Sequence, residues 1–114
     1  MDKLKISIIT VSWNSKETIK NTIDSVINQT YKNIEYIIID GASTDGTVEI
    51  VKSYGSKISR FISEPDKGLY NAMNKGIGLS TGDIVGILNS DYFYIDNKVI
   101  GKVLKEFKEK QVDS

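Results

Sequence analysis

The chain predicts an α/β fold: a mostly parallel sheet of about four strands with helices on both faces. Three observations carry this. Short runs dense in Ile and Val alternate with segments whose apolar residues recur at helical spacing, the order that a parallel sheet with crossover helices requires. Two of the runs end on a carboxylate: residues 36–39 run into Asp40, and residues 84–88 run into Asn89-Ser90-Asp91. The first carboxylate is followed by Gly41, Ser43 and Thr44, turn residues that would leave it at the carboxyl edge of the sheet, where open α/β sheets bind their ligands.

Taken in order, residues 5–12 form the first strand. Asn14 or Ser15 can cap the next helix, with Glu17 placed to close a capping box on Asn14. Ile19, Ile23, Val26 and Ile27 then share one helical face. Residues 34–39 make the second strand, residues 41–46 a loop, and residues 47–54 a helix carrying Val48, Ile50 and Val51 and stopped by Gly55. Residues 58–62 read as a shorter third strand, and residues 64–68, with the only proline, as a fixed change of direction. Leu69, Ala72, Met73, Gly76 and Ile77 space as a helix, residues 84–88 as the fourth strand, and Val99, Ile100, Val103, Leu104 and Phe107 as a last amphipathic helix. Val112 is placed either in a frayed end or at the start of a further strand, so the 114 residues read as one domain whose C-terminal part is cut short.

Composition narrows the chemistry. Fifteen basic residues balance fifteen acidic ones, so no net field recruits nucleic acid or an acidic membrane. The sequence has no cysteine and no histidine, which removes thiol chemistry, Ser-His triads and His-ligated metal sites. Any metal must be held by oxygen, which favours Mg²⁺, Mn²⁺ or Ca²⁺. No stretch approaches the roughly 18 apolar residues of a membrane span, and the N-terminal apolar run reads as a strand rather than a signal peptide. These readings place the protein in the cytoplasm. Neither a Gly-x-Gly-x-x-Gly turn nor a Gly-x-x-x-x-Gly-Lys-Ser/Thr loop follows a strand, so nicotinamide and P-loop chemistry are set aside.

At each strand end two readings stand side by side. Trp13 offers a flat face to a planar ring, or packs as aromatic residues mostly do. Asp40 can accept a hydrogen bond from a ring N–H, or cap the turn that begins at Gly41. Asp45 reads as a helix cap. Asp91 can hold a divalent ion against a diphosphate, or close an Asx turn. Lys67 can meet diphosphate charge, or stay solvated. An aspartate-phosphorylation domain also carries Asp at strand ends, but would need acidic residues where Trp13-Asn14 stands.

Several ordered segments together resemble family 2 glycosyltransferases of the GT-A fold. They are residues 7–14 (SIITVSWN), residues 25–31 (SVINQTY), residues 39–47 (IDGASTDGT), residues 66–76 (DKGLYNAMNKG) and residues 82–91 (GDIVGILNSD). The resemblance implies the Rossmann-like, nucleotide-sugar-binding front half of such an enzyme. It implies that Thr10, Val11 and Trp13 line the nucleoside pocket and that Asp40 bonds the base, expected to be uracil. Lys67 and Gly68 would lie near the diphosphate, Ser90 would contact the nucleotide, and Asp91 would meet the ribose or a Mn²⁺ or Mg²⁺ ion. The implied reaction is inverting transfer of a sugar from a UDP-sugar to a hydroxyl of a saccharide or lipid-linked acceptor, in polysaccharide biosynthesis, with peripheral membrane attachment of the whole protein. Two departures qualify it. Tyr92 stands where the family commonly has a second carboxylate, and a neutral phenol is a poor ligand for a hard cation. The catalytic base and the acceptor-binding half are expected beyond Ser114. The alternative is a non-catalytic, metal-impaired relative that acts as a binding module. A half-domain of this kind also leaves a sheet edge and apolar surface that invite self-association.

Overall fold

A computed structural model describes residues 4–113, with side chains described for residues 4–106. The elements follow the predicted order: β1 (Ile6–Ser12), α1 (Ile19–Ile27), β2 (Ile34–Asp40), α2 (Thr47–Lys52), a short 3-10 turn (Gly55–Lys57), β3 (Arg60–Ser63), α3 (Leu69–Leu79), β4 (Ile84–Ile87) and α4 (Val99–Asp113). All strand pairs are parallel, in the order β3-β2-β1-β4. β1 and β2, flanked on both sides, are near-continuous runs of buried residues, as parallel strands covered on both faces must be.

The two faces are covered unequally. Side chains of Ile6, Ile8, Tyr36 and Ile38 meet α1, α2 and α4 through Ile19, Ile23, Val51, Ile100 and Leu104. The opposite face, built on Ile9, Ile37 and Ile39, is covered by α3 through Ala72 and Leu79. α3 lies close on β1: a Cβ at Gly76 would come within 2.5 Å of the Ile9 side chain.

Several boundaries differ from the sequence reading. α1 starts at Ile19, and Asn14 does not cap it. Asn14 instead adopts a left-handed φ of 46° and is tied to the next loop, its N–H donating to Ser43 Oγ (2.7 Å) and its Oδ1 accepting from the Thr44 N–H (2.9 Å). The backbone carbonyl of Ser15, accepting from Thr18 and Ile19, opens the helix. α2 ends at Lys52, with Gly55 at a φ of 57° turning the chain into the 3-10 segment. Val112 belongs to α4, which runs through it to Asp113, so no strand begins there. The side chain of Phe107 lies outside the described residues.

α4 is held from a distance. Gln29, at the end of α1 and almost wholly buried, donates its amide to the carbonyls of Ser25 (3.0 Å) and Asp96 (2.6 Å) and accepts from the Ile100 N–H (3.0 Å). It thus satisfies an otherwise unpaired donor in the first turn of α4. Asp96 itself caps the N–H of Lys98 at 2.8 Å, which accounts for it outside any binding role.

Candidate functional site

The carboxyl edge of the sheet opens into a cleft of about 760 Å³, within the range of small-molecule sites. Four segments wall it: Val11 to Ser15 with Glu17 and Thr18 at the end of β1 and before α1, Gly41 after β2, Pro65, Asp66, Gly68 and Leu69 between β3 and the start of α3, and Asn89 to Asp91 after β4. The fourth segment is held beside the first because the parallel ladder continues past β4. The Leu88 N–H donates to the Ile9 carbonyl (2.8 Å) and the Ser90 N–H to the Val11 carbonyl (3.2 Å). From below, the Thr22 hydroxyl of α1 lies 2.8 Å from the Ser90 carbonyl and 2.5 Å from that of Tyr92. Ser90 Oγ meets Ser15 Oγ at 2.5 Å.

Of the residues singled out from sequence, Val11, Trp13, Gly68, Ser90 and Asp91 line this cleft. Trp13 is 68% exposed, so its ring is presented to the opening rather than packed. Asp91 is exposed at the rim. Gly68 has a φ of 114°, a conformation that L side chains rarely adopt, and its N–H bonds Asp66 Oδ1 at 3.0 Å.

Three residues lie elsewhere, each for a physical reason. Thr10 is fully buried and its hydroxyl pairs with the Tyr36 hydroxyl at 2.8 Å inside the core. Burial pushes the Tyr36 phenol far above its usual range, so it stays neutral and the pair is an uncharged core bond. Lys67 is exposed on its loop and is not part of the cleft wall. Asp40 is 0% exposed. In register it stands between Ser12 of β1 and Ser63 of β3. Its Oδ1 accepts from the hydroxyls of Ser12 (2.7 Å) and Ser43 (2.6 Å), and its Oδ2 from the Ser43 N–H (2.8 Å) and the Ser63 hydroxyl (2.9 Å). Four donors occupy the four lone-pair positions of the carboxylate. A base N–H could reach Asp40 only if one of these bonds were given up.

The loop that Asp40 anchors is further pinned by Asp45. Its carboxylate accepts from the hydroxyl (2.5 Å) and N–H (3.0 Å) of Thr47 and from the Lys16 N–H (3.1 Å). The Thr47 hydroxyl bond, ahead of the backbone bonds, holds the Asp45 carboxyl below its usual range. Asp45 thus bonds the first residue of α2 from one place before the N-cap position, which Gly46 occupies with no side-chain cap bond, so it steadies the turn into the helix without being the cap expected from sequence.

Among the cleft residues that the sequence does not suggest as site residues, two stand out. Asp66 is partly buried against Gly41: a Cβ there would lie 2.9 Å from Asp66 Oδ2 and 3.4 Å from Trp13 Cδ1. Asn89 places its side-chain Oδ1 out of solvent with no hydrogen-bond partner. The Asn89 signal is its position two residues before Asp91; Asp66 carries none before the loops are assembled.

Whether the residues suit a divalent ion turns on the same segment. Among the described residues no group of three or more Asp, Glu, His or Cys side chains is arranged to hold a metal. Tyr92, 60% exposed, brings no carboxylate. What remains is the Asp91 carboxylate, with the unpartnered amide oxygen of Asn89 in the same cleft wall. Such a donor set suits an ion that takes most of its ligands from a diphosphate and water, as Mg²⁺ commonly does.

Comparison with known proteins gives a consistent result. Residues 7–114 match the sequence model of Glycosyl transferase family 2. The chain is 36% identical over 99 residues, 86% of its length, to the Escherichia coli protein named UDP-Glc:alpha-D-GlcNAc-diphosphoundecaprenol beta-1,3-glucosyltransferase WfaP. It is 32% identical over 111 residues, 96% of its length, to the glycosyltransferase GlyA of Streptococcus pneumoniae. It spans only 39% of the first relative and 16% of the second. In fold it resembles S. aureus TarS 1–349 solved with UDP-GlcNAc (TM-score 0.83, 23% identity, 93% of this chain and 32% of that one). It equally resembles the mannosyltransferase PcManGT of Pyrobaculum calidifontis solved with GDP-Man and Mn²⁺ (TM-score 0.83, 23% identity, 91% and 32%).

Proposed function

This chain belongs to glycosyl transferase family 2, and from that premise we propose that its cleft binds the nucleotide part of a sugar donor. The observation that carries the reading is the convergence of Trp13, the backbone at Gly68 and the Asp91 carboxylate on one opening at the carboxyl edge of the sheet. Trp13 presents a face for a planar base. The N-terminal end of α3 favours the negative charge of a diphosphate, and Lys67, solvated beside it, adds to that field. Thr10 and Asp40 serve the pocket from behind, by fixing β1 and the 41–46 loop.

The donor is a UDP-sugar and the reaction is transfer with inversion to a hydroxyl of a saccharide or lipid-linked acceptor. An acceptor oxygen bonds the anomeric carbon, the bond to the diphosphate breaks, and a carboxylate base removes the acceptor proton. The relatives are much longer than this chain. We place the 114 residues as the donor-binding part, inactive in transfer alone, with the base and acceptor site outside them. A divalent cation, when bound, supplies charge compensation for the departing diphosphate. Asp91 is the residue that would hold it, with Asn89 beside it. No helix among the described residues is long and apolar enough to cross a membrane. The working location is cytoplasmic, with peripheral attachment where a lipid-linked acceptor is used. Nucleic acid is not a partner. Self-association of this chain through its open sheet surface is part of the same proposal.

Calorimetry with UDP, with and without Mn²⁺, tests the reading; a chain that takes up no UDP in either condition has no donor site. Tyr92 favours one second reading, a binding module that has lost metal-assisted chemistry. Tyr92→Asp separates the two. Mn²⁺-dependent UDP affinity that arises only in the variant marks the natural chain as metal-impaired, whereas equal Mn²⁺ dependence in both shows that position 92 is not decisive.

A further inference from the structure

The loop between β4 and α4 is fastened through its backbone and bare in its apolar side chains. The Thr22 hydroxyl of α1 bonds the carbonyls of Ser90 and Tyr92, the Gln29 amide bonds that of Asp96, and the Thr30 N–H donates to the Asn97 carbonyl at 2.7 Å. Tyr94 packs against the core. Between these anchors Tyr92, Phe93 and Ile95 face solvent, 60%, 62% and 86% exposed. Scattered apolar side chains are ordinary on a surface, but three within four residues, on a backbone this firmly held, form a ready-made contact surface. The charges that follow fit one kind of partner. Lys98, Lys102 and Lys105 share one stripe at the start of α4, on the side away from the buried Ile100 and Leu104. All three are exposed, and among the described residues none is paired with a carboxylate. Glu106 is the one acid in residues 98–106, and Asp96, just before them, places its carboxylate on the Lys98 N–H. Aromatic and branched side chains at a tip, backed by lysines, are the composition of segments that enter a lipid headgroup layer. The zero net charge of the chain does not oppose this, because exposed charges act over only about 8–10 Å in physiological salt.

We propose that residues 92–95 insert into the interfacial layer of an anionic phospholipid bilayer, with Lys98, Lys102 and Lys105 against its headgroups. This rests on the lipid-linked acceptor proposed above, and it names the surface that makes the attachment. Asn89 to Asp91, which wall the cleft, lead directly into the loop. Insertion therefore holds the mouth of the cleft at the bilayer surface, where a lipid-linked acceptor is presented.

Flotation of the whole chain with phosphatidylcholine vesicles, with and without phosphatidylglycerol, tests this, with UDP calorimetry, light scattering and thermal unfolding followed alongside. The natural chain should bind vesicles containing phosphatidylglycerol roughly tenfold or more tightly than those without it, and high salt should remove that margin. Phe93→Ser combined with Ile95→Ser should weaken binding to both kinds of vesicle by roughly tenfold. Lys102→Glu combined with Lys105→Glu should abolish the preference for phosphatidylglycerol. Both double variants should keep the unfolding temperature and the UDP affinity, because the four side chains are exposed and none lines the cleft. A natural chain that binds no vesicles, or vesicle binding that survives Phe93→Ser with Ile95→Ser, overturns the proposal and leaves the donor site standing. If that variant instead lowers the mass seen by light scattering and binds vesicles as before, the patch serves a second copy of the chain and the proposal fails. A natural chain that binds vesicles through this loop but takes up no UDP keeps the membrane surface and refutes the donor reading.

Discussion

At the scale of single residues, two buried or half-buried carboxylates hold opposite ends of the sheet, and they respond to change in different ways. Asp40 ties β1, β2, β3 and the 41–46 loop into one polar knot at the carboxyl edge. Asp40→Ala removes the common acceptor of three hydroxyls and one N–H, and should cost on the order of 3 kcal/mol, since each hydrogen bond to a charged group is worth about 1.5–3 kcal/mol. Asp40→Asn should cost less, because hydroxyls can turn to accept from the new amide while its carbonyl keeps the Ser43 N–H. Urea unfolding of the pair checks the ranking. At the other edge, Glu35 accepts from the Ser7 hydroxyl (2.7 Å), the Thr81 N–H (2.8 Å) and the Thr81 hydroxyl (3.1 Å). Burial alone would raise its carboxyl, but those bonds and the nearby Lys5 charge outweigh burial and hold it below the usual range. A carboxyl depressed in the folded state stabilises the fold above its unfolded value of about 4.3 and loses that contribution as pH falls through the folded value. Urea midpoints should therefore drop on acidification below about pH 4.3, and the drop should be smaller in Glu35→Gln.

Elements show where sequence is a sufficient guide and where it is not. The strands are legible because β1 and β2 are flanked on both sides and must be apolar throughout. Helix existence is legible because each helix has one side to bury. Helix starts are harder, because a cap competes with distant partners. Asn14 has the right side chain to open α1, yet Ser43 and Thr44 take its N–H and its oxygen. The cleft divides along the same line. Trp13, Gly68 and Asp91 are legible as strand-end or loop residues, whereas the closure of Asp40 depends on Ser12 and Ser63, which only the register brings beside it. The exposure of Asp66 to the cleft depends on how the β3–α3 loop crosses the sheet edge. Gln29 belongs to the illegible class too, since its partners Asp96 and Ile100 are far along the chain. Gln29→Leu keeps the volume but strands the buried Ile100 N–H and gives up the bond to the Asp96 carbonyl, and should cost about 1–3 kcal/mol for the buried N–H left unpaired. Amide exchange at Ile100 should rise more than in β1 or β2, which separates loosened docking of α4 from a general loss of stability.

The whole molecule is lopsided, and the imbalance has a consequence in solution. Three helices cover one face of the sheet, while α3 alone covers the other and lies over β1 and β2. Val85 and Ile87 of β4 pair in register with Ser7 and Ile9, so their side chains point to the α3 side, beyond the reach of that helix. They are 39% and 41% exposed, and Ile77 of α3 is exposed as well. Among the described residues β4 is an edge strand paired with β1, so the apolar strip runs along the outer edge of the sheet. Unprotected edges of this kind pair with other chains, and charged side chains are the usual way of preventing it. A second copy of the chain offers a complementary edge. Light scattering should therefore report a mass that rises with concentration, and Val85→Lys combined with Ile87→Lys should return it to that of a monomer. The double substitution lies on the solvent side of an edge strand and should leave UDP binding intact, because neither residue lines the cleft. A natural chain that stays monomeric at high concentration would mean that the strip is already protected, and would remove the sheet edge as the route of association.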